Sequence, residues 1–281
     1  MTALRQAIDS ATAVFTAAGI ASARWDAEEL AAHLAGTDRG RLALLAPPGE
    51  EFFARYRALV TARRSRVPLQ HLTRIAAFGP VMLHVGPGVF IPRPETESLL
   101  DWAVNQELPA HPVIVDACTG SGALALALAR HWPAARVIGV DDSPQALSYA
   151  RRNCADTAVE LLRADVTTPG LLAGLNAGVD LLVANPPYIP DGTELEPEVA
   201  QHDPAHALFG GPDGMRVVTA LVTLAGRWLR PGGLFAVEHD DTTGEATVEL
   251  IARTGLFAAV RPESDLAGRP RFVTARRTEA P

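Results

Sequence analysis

Val113-Ile114-Val115-Asp116-Ala117-Cys118-Thr119-Gly120-Ser121-Gly122 is the stretch that decides the architecture of this chain. Three apolar residues in succession form a short strand, and the strand ends on an acid. The small residues that follow let a backbone approach a ligand closely and lead into a helix N-terminus, here the predicted helix Ala123 to Arg130. Alone the turn is ambiguous, because dinucleotide-binding enzymes use similar ones.

Outward from this point the pattern repeats. Arg136 to Val140 is a second strand, ending in Asp141, and its helix is capped by Ser143. Leu161 and Leu162 lead to Asp165-Val166. Val179 to Ala184 is a further strand, running into Asn185-Pro186-Pro187-Tyr188. A helix from Met215 to Leu229, the strand Leu234 to Glu238, a helix from Glu245 to Arg253, and two late strands around Ala258 and Phe272 follow. Strands alternating with helices imply a mostly parallel sheet covered on both faces, an α/β fold. Ligands of such sheets bind beyond the carboxyl ends of the strands, where the acids and glycines fall.

Residues before this region read differently. Leu4, Ala7, Ile8, Ala11, Val14 and Phe15 recur at helical spacing, Asp26 is placed to cap a second helix, and Glu50 to Arg66 carries Phe52, Phe53, Tyr56 and Leu59 on one stripe. Phe78 to Val85 alternates like a hairpin around Gly79-Pro80. The expected organisation is a helical domain over 1–74, a hairpin and linker over 75–111 holding Ile91-Pro92-Arg93-Pro94-Glu95-Thr96-Glu97, and a catalytic domain over 112–281.

Three strand-end acids suit a nucleoside. Asp116 opens the glycine turn, Asp141 can accept both ribose hydroxyls, with Asp142 beside it, and Asp165 can meet an adenine amino group. Helix capping would account for Asp141 and a loop position for Asp165. Asn185-Pro186-Pro187-Tyr188 is more specific. An amide or aromatic amine nitrogen has its lone pair delocalised and is a poor nucleophile. A rigid turn can offer the Asn185 side-chain oxygen and the Pro186 carbonyl to both N–H bonds of such a group and aim the nitrogen. Tyr188 can cover its flat face.

Together these strand ends resemble the class I, Rossmann-like methyltransferases. Pro68-Leu69-Gln70-His71-Leu72-Thr73, the proline-arginine-proline segment, Ala207 to Gly214 and Asp265 to Arg271 further resemble the protein-(glutamine-N5) methyltransferase family and its release-factor branch. The resemblance implies a seven-stranded sheet with a small N-terminal helical domain that docks the substrate. It implies S-adenosyl-L-methionine as cofactor, held by Asp116, Cys118, Thr119, Gly120, Ser121, Gly122, Asp141, Asp142, Asp165, Val166 and Asn185. Asn185, Pro186, Pro187 and Tyr188 would be catalytic, with Arg93 and Glu95 on the substrate side. The implied substrate is the glutamine of the Gly-Gly-Gln loop in class 1 peptide chain release factors. A ribosomal-protein glutamine, an adenine N6 nitrogen and a nicotinamide oxidoreductase remain as alternatives. Cys118 stands where the family usually has glycine, and Asp240-Asp241 follow Glu238-His239 where glycine is frequent.

The bulk properties agree. The 281 residues are 48% hydrophobic with net charge −7, so the surface as a whole does not attract nucleic acid, and every basic residue is arginine. Cys118 and Cys154 lack metal-ligand spacing, so no metal is expected. Met1 to Ser10 has no apolar signal core and no run is long enough to span a bilayer, which gives a cytoplasmic expectation.

Overall fold

The computed structural model describes residues 3–279. The chain divides into two compact units: Met1–Ile75 together with Leu195–His202, and Ala76–Glu194 together with Asp203–Pro281.

The first unit contains α1 (Ala3–Ala17), α2 (Ala23–Ala35), α3 (Glu50–Arg64) and the short α4 (Leu69–Thr73). Leu4, Ile8, Ala11 and Phe15 of α1 meet Ala27, Leu30 and Ala31 of α2 and Tyr56 of α3 in one apolar core. Asp26 does not cap α2, whose N-cap position is Ser22. It lies in the first turn, buried, and accepts a hydrogen bond from Arg63 Nε at 2.6 Å. Arg63 in turn reaches Glu198 at 3.1 Å, and Glu198 also meets Arg66. Glu198 belongs to a helix, Pro197–His202, that the chain supplies much later.

The second unit opens with a hairpin, β1 (Ile75–Phe78) and β2 (Val81–His84), then α5 (Thr96–Val104). Residues 76–111 are more than a linker. Phe78, Val81, Leu83, Ile91 and Leu99 share a core with the sheet and its first helices.

The sheet follows in chain order: β3 (Val113–Ala117), α6 (Ala123–His131), β4 (Arg136–Asp141), α7 (Pro144–Asn153), β5 (Glu160–Arg163), β6 (Val179–Ala184), α8 (the Pro197–His202 helix of the first unit), α9 (Arg216–Trp228), β7 (Leu229–Glu238), α10 (Gly244–Arg253), β8 (Phe257–Ser264) and β9 (Pro270–Arg277). Its order is β5-β4-β3-β6-β7-β9-β8, parallel through β7, with β9 antiparallel to β7 and to β8. Alternate residues divide between two cores, as the two-residue period of a strand requires. Ile114, Val137, Leu181, Val183 and Ala236 face the side of α5 and α6, while Val115, Ile138, Leu182, Phe235 and Val273 face α9 and α10.

One boundary differs from the sequence reading. The helix stops at Trp228, and β7 begins at Leu229 instead of Leu234, because Leu229 pairs with Val179 ahead of a register shift at Pro231-Gly232-Gly233. The switch point lies between β3 and β6. From there the chain winds outward in both directions and opens a crevice at the strands' carboxyl ends.

Removing one partner of a buried ion pair leaves a charge without compensation, at a cost of about 3–5 kcal/mol. Arg63 keeps Glu198 when Asp26 is replaced, so Asp26→Asn should destabilise the first unit by no more than that amount, and Glu198→Gln, whose own side chain is 25% exposed, by less. Chemical denaturation of both variants measures the difference.

Candidate active site

The carboxyl ends of β3 to β6 carry the segments singled out in the sequence, and one cavity gathers most of them. It has a volume of about 250 Å³, near the lower end of the roughly 300–1,000 Å³ of small-molecule sites. Asp116, Cys118, Thr119, Gly120, Ser121, Asp141, Asp142, Asp165, Val166, Asn185 and Pro187 line it.

Asp116 is buried at the end of β3. One of its oxygens accepts the Thr119 hydroxyl and the Ala125 backbone N–H at 3.0 Å, so it ties the turn to the first turn of α6. Burial pushes its carboxyl up to about 7 against these two hydrogen bonds. Cys118 adopts a φ of 60°, the left-handed conformation that glycine occupies without strain. The substitution noticed in the sequence thus keeps a glycine backbone and adds a thiol to the cavity wall. Burial, then the carboxylates of Asp141, Asp116, Asp142 and Asp165, push that thiol well up, so it stays protonated and weakly nucleophilic.

Asp141 ties two turns together. Oδ2 accepts the Gly120 N–H at 2.8 Å and Oδ1 accepts the Ser143 N–H at 2.9 Å, while Ser143 itself caps α7 through Ala146. Each oxygen retains a lone pair beyond these bonds. Asp165 holds its own turn through Oδ1, which accepts the Thr167 N–H and hydroxyl; these bonds keep it below the usual carboxylate range.

Asn185 follows β6, and its Nδ2 donates to Thr96 Oγ1 at 3.0 Å. The turn behind it is clamped by the glycine-rich segment that follows a single 3-10 turn, Ala205–Ala207. Ile189 N–H bonds Leu208 O and Gly210 N–H bonds Ile189 O, both at 2.9 Å. A Cβ on Gly210 would lie 2.6 Å from Pro187 O, and one on Gly214, whose φ is +76°, 2.2 Å from Tyr188 O. Only glycine permits that approach.

Several expected site residues stand back from the cavity. Gly122 packs α6 on α7, where a Cβ would meet Cys154 Sγ at 3.2 Å. Pro186 is buried in the turn. Tyr188 lies outside the cavity lining, and burial raises its hydroxyl, with the Glu238 carboxyl and the Arg271 guanidinium nearby. Arg93 is paired with Asp203 and lies over the Phe90 ring, and Glu95 occupies the N-cap position of α5. The sequence reading missed Phe78, Val89, Phe90, Pro92, Leu124, His206 and Arg216 on the wall. Pro92 belongs to the proline-arginine-proline segment and Phe90 lies immediately before it, so both could have been found there; His206 and Arg216 carry no local signal. Among the described residues no group of three or more His, Cys, Asp or Glu is placed to hold a metal, and no helix is long and apolar enough to cross a membrane.

A doubly wound seven-stranded sheet of this order, with a cavity built on the ends of β3 to β6, defines a methyltransferase of Rossmann-like fold. A methyltransferase from Pyrococcus furiosus superposes with a TM-score of 0.56 at 18% identity, covering 78% of this chain and all of that one. Residues 6–73 match the family model "PrmC N-terminal domain" and residues 95–208 the "Methyltransferase small domain". Release factor glutamine methyltransferases from Mycobacterium tuberculosis and Mycobacterium leprae are 70% and 68% identical, covering 98% and 100% of this chain and 91% and 99% of theirs. The corresponding protein of Corynebacterium glutamicum is 45% identical over 99% of this chain and 100% of its own. The chain belongs to the release factor glutamine methyltransferase family.

Two buried carboxyls give the second unit a characteristic response to pH. Burial raises Asp116 to about 7 and Glu238 to about 8, from ordinary values of 3.8 and 4.5. Between these limits the folded chain keeps protons that the unfolded chain has released, so stability falls as pH rises and levels off above about 8. Asp116→Asn and Glu238→Gln should each gain on wild type by several kcal/mol between pH ~4 and ~8. Urea unfolding across that range reads the slope directly, and parallel curves for variant and wild type would refute it.

Proposed function

We propose that this chain transfers the methyl group of S-adenosyl-L-methionine to the side-chain amide nitrogen of the glutamine in the Gly-Gly-Gln loop of class 1 peptide chain release factors. The observation that carries this reading is Asn185, set in the same cavity as the acid-lined turns with its Nδ2 engaged by Thr96, so that Oδ1 is the atom left for the cavity. The names of its relatives support the choice of glutamine over an adenine.

The residues present fit the cofactor. Asp141 offers lone pairs to ribose hydroxyls beyond its two backbone bonds, and the turn from Thr119 to Ser121 presents small residues to the methionine portion. Asp116, Asp141, Asp142 and Asp165 make this end of the cavity suitable for a cationic ligand. When bound, the cofactor supplies an electrophilic methyl carbon on positively charged sulfur.

Asn185 Oδ1 and the Pro186 carbonyl each accept one N–H of the substrate amide. Their grip localises the nitrogen lone pair, fixes its direction, and stabilises the positive charge that gathers on nitrogen as the new C–N bond forms. The clamp on Pro187 and Tyr188 by Gly210 and Gly214 holds both acceptors in one rigid turn. Once methylated, the nitrogen releases a proton to solvent and returns to a neutral amide.

Asn185→Ala should lower turnover on the order of a hundredfold or more, as for loss of one oxyanion-hole donor, with affinity for S-adenosylhomocysteine little changed. Asp141→Ala should do the reverse and weaken cofactor binding by about 1–3 kcal/mol. Calorimetry with S-adenosylhomocysteine and NAD, together with the intact mass of release factor and ribosomal protein after incubation, separates these roles; NAD binding alone, or methylation of ribosomal protein alone, overturns the assignment.

The helical unit serves in this reading to dock the macromolecular substrate, because remote binding energy can position a loop for reaction. Trp25 and Leu44, 52% and 83% exposed, are two of its large exposed apolar side chains. Trp25→Ala with Leu44→Ala should slow methylation of intact release factor while leaving a short Gly-Gly-Gln peptide nearly unaffected. Equal rates of wild type and variant on the intact factor remove these two side chains from the docking surface.

A further inference from the structure

The turn between β8 and β9 lies at the same end of the sheet as the cavity. β9 runs antiparallel to β7 with Phe272 opposite Glu238, so Asp265 to Arg269 falls beyond the carboxyl end of β7. β6 is parallel to β7, and Asn185 follows β6 at that end. In the sheet order β9 is two places from β6. With neighbouring strands about 4.8 Å apart, the two are separated by roughly 10 Å.

Leu266 occupies this turn and is 89% exposed. A scattered surface leucine is ordinary and carries no meaning by itself. This one sits on a rigid mount. Oδ1 of the buried Asp265 accepts the N–H groups of Ala267 at 2.9 Å and Arg269 at 3.0 Å. The Asp265 N–H donates to Arg269 O, and the Gly268 N–H donates to Asp265 O, both at 2.9 Å. Gly268 has a φ of +80°, which closes the turn without strain. Asp265 Oδ2 faces Arg271 at 3.6 Å, and Arg271 also meets Asp241 at 3.3 Å. A side chain carried on so fixed a backbone loses little freedom when something packs on it.

We propose that Leu266 is a substrate-contact residue, packing on an apolar side chain that lies within about three positions of the target glutamine. The inference deepens the reading of a protein glutamine as substrate and rests on it. A glutamine inside a polypeptide cannot enter a cavity alone, because the residues on either side must run out across the rim. An extended chain advances about 3.3 Å per residue, so three residues span the roughly 10 Å from β6 to β9. Leucine has no polar side-chain atom, so an apolar partner is the one that gains from covering it. A single leucine is far too little surface to hold a second copy of the chain.

The test compares three substrates with wild type and Leu266→Ser, a change at an exposed site that leaves the fold and S-adenosylhomocysteine affinity within about twofold. On intact release factor, and on a peptide of its loop extending seven residues to either side of the glutamine, kcat/KM should fall about fivefold or more. The loss should lie in KM, with kcat little changed, because the contact is remote from the reacting nitrogen. On acetyl-Gly-Gly-Gln-amide, which is too short to reach the turn, the two enzymes should agree within twofold. Leu266→Met, similar in size and apolarity, should recover most of the loss. Rates within twofold on both long substrates overturn the proposal. A loss confined to intact factor overturns it also, since the contact would then lie on the body of the factor. So does an equal loss on the short amide, which would indicate a distorted site, and so does a wild-type dimer that Leu266→Ser turns into a monomer. Wild type keeps the two levels apart. If it methylates neither release factor nor its loop peptide, the reading of the substrate fails; if it methylates both and Leu266→Ser matches it, the role of Leu266 alone fails.

Discussion

A parallel strand buried on both faces has nowhere along its length to put a polar side chain, and this constraint organises the catalytic unit. β3 and β6 lie at the centre of the sheet with apolar cores on either side. Polar groups are therefore displaced to the strand ends, where backbone N–H groups at the starts of helices await acceptors. Asp116 shows the coupling most directly, since its carboxylate engages both the Thr119 hydroxyl and the Ala125 N–H. Asp141 does the same one strand over, joining the glycine turn to the start of α7. Holding the fold together and framing the cavity are the same act for these two acids.

That economy explains what could be read without a structure. The strand-end acids and the Asn-Pro-Pro-Tyr turn were legible because local sequence carries them: a short apolar run, then an acid, a glycine or a proline. The sheet and its helices follow from the same alternation. Long-range pairing was not legible. Nothing near Asp26 announces Arg63, and its acidic side chain before a helical stripe imitates a cap. Leu229 reads as the end of a helix until Val179 pairs with it across a bulge. The guanidinium near the Tyr188 hydroxyl, that of Arg271, comes from far along the chain.

Electrostatics divides the site into unlike halves. Four carboxyls gather around the turn after β3, and burial together with their charge keeps the Cys118 thiol protonated. A cysteine in a glycine conformation can thus stand in the wall without becoming a competing nucleophile. Around Asn185 the polar contact is between neutral groups, the amide Nδ2 and the Thr96 hydroxyl.

The helix Pro197–His202 has a consequence for how the chain is made. It belongs to the helical unit, where Glu198 meets Arg63 and Arg66, yet it is encoded after residues 76–194. During synthesis α1, α2 and α3 emerge ahead of it, when Asp26 is the one of these two carboxylates available to Arg63. The second carboxylate arrives once the strands from β3 to β6 have already left the ribosome. The unit that begins the chain is consequently not the first to be finished, and its last piece is delivered by the loop that directly follows the Asn-Pro-Pro-Tyr turn.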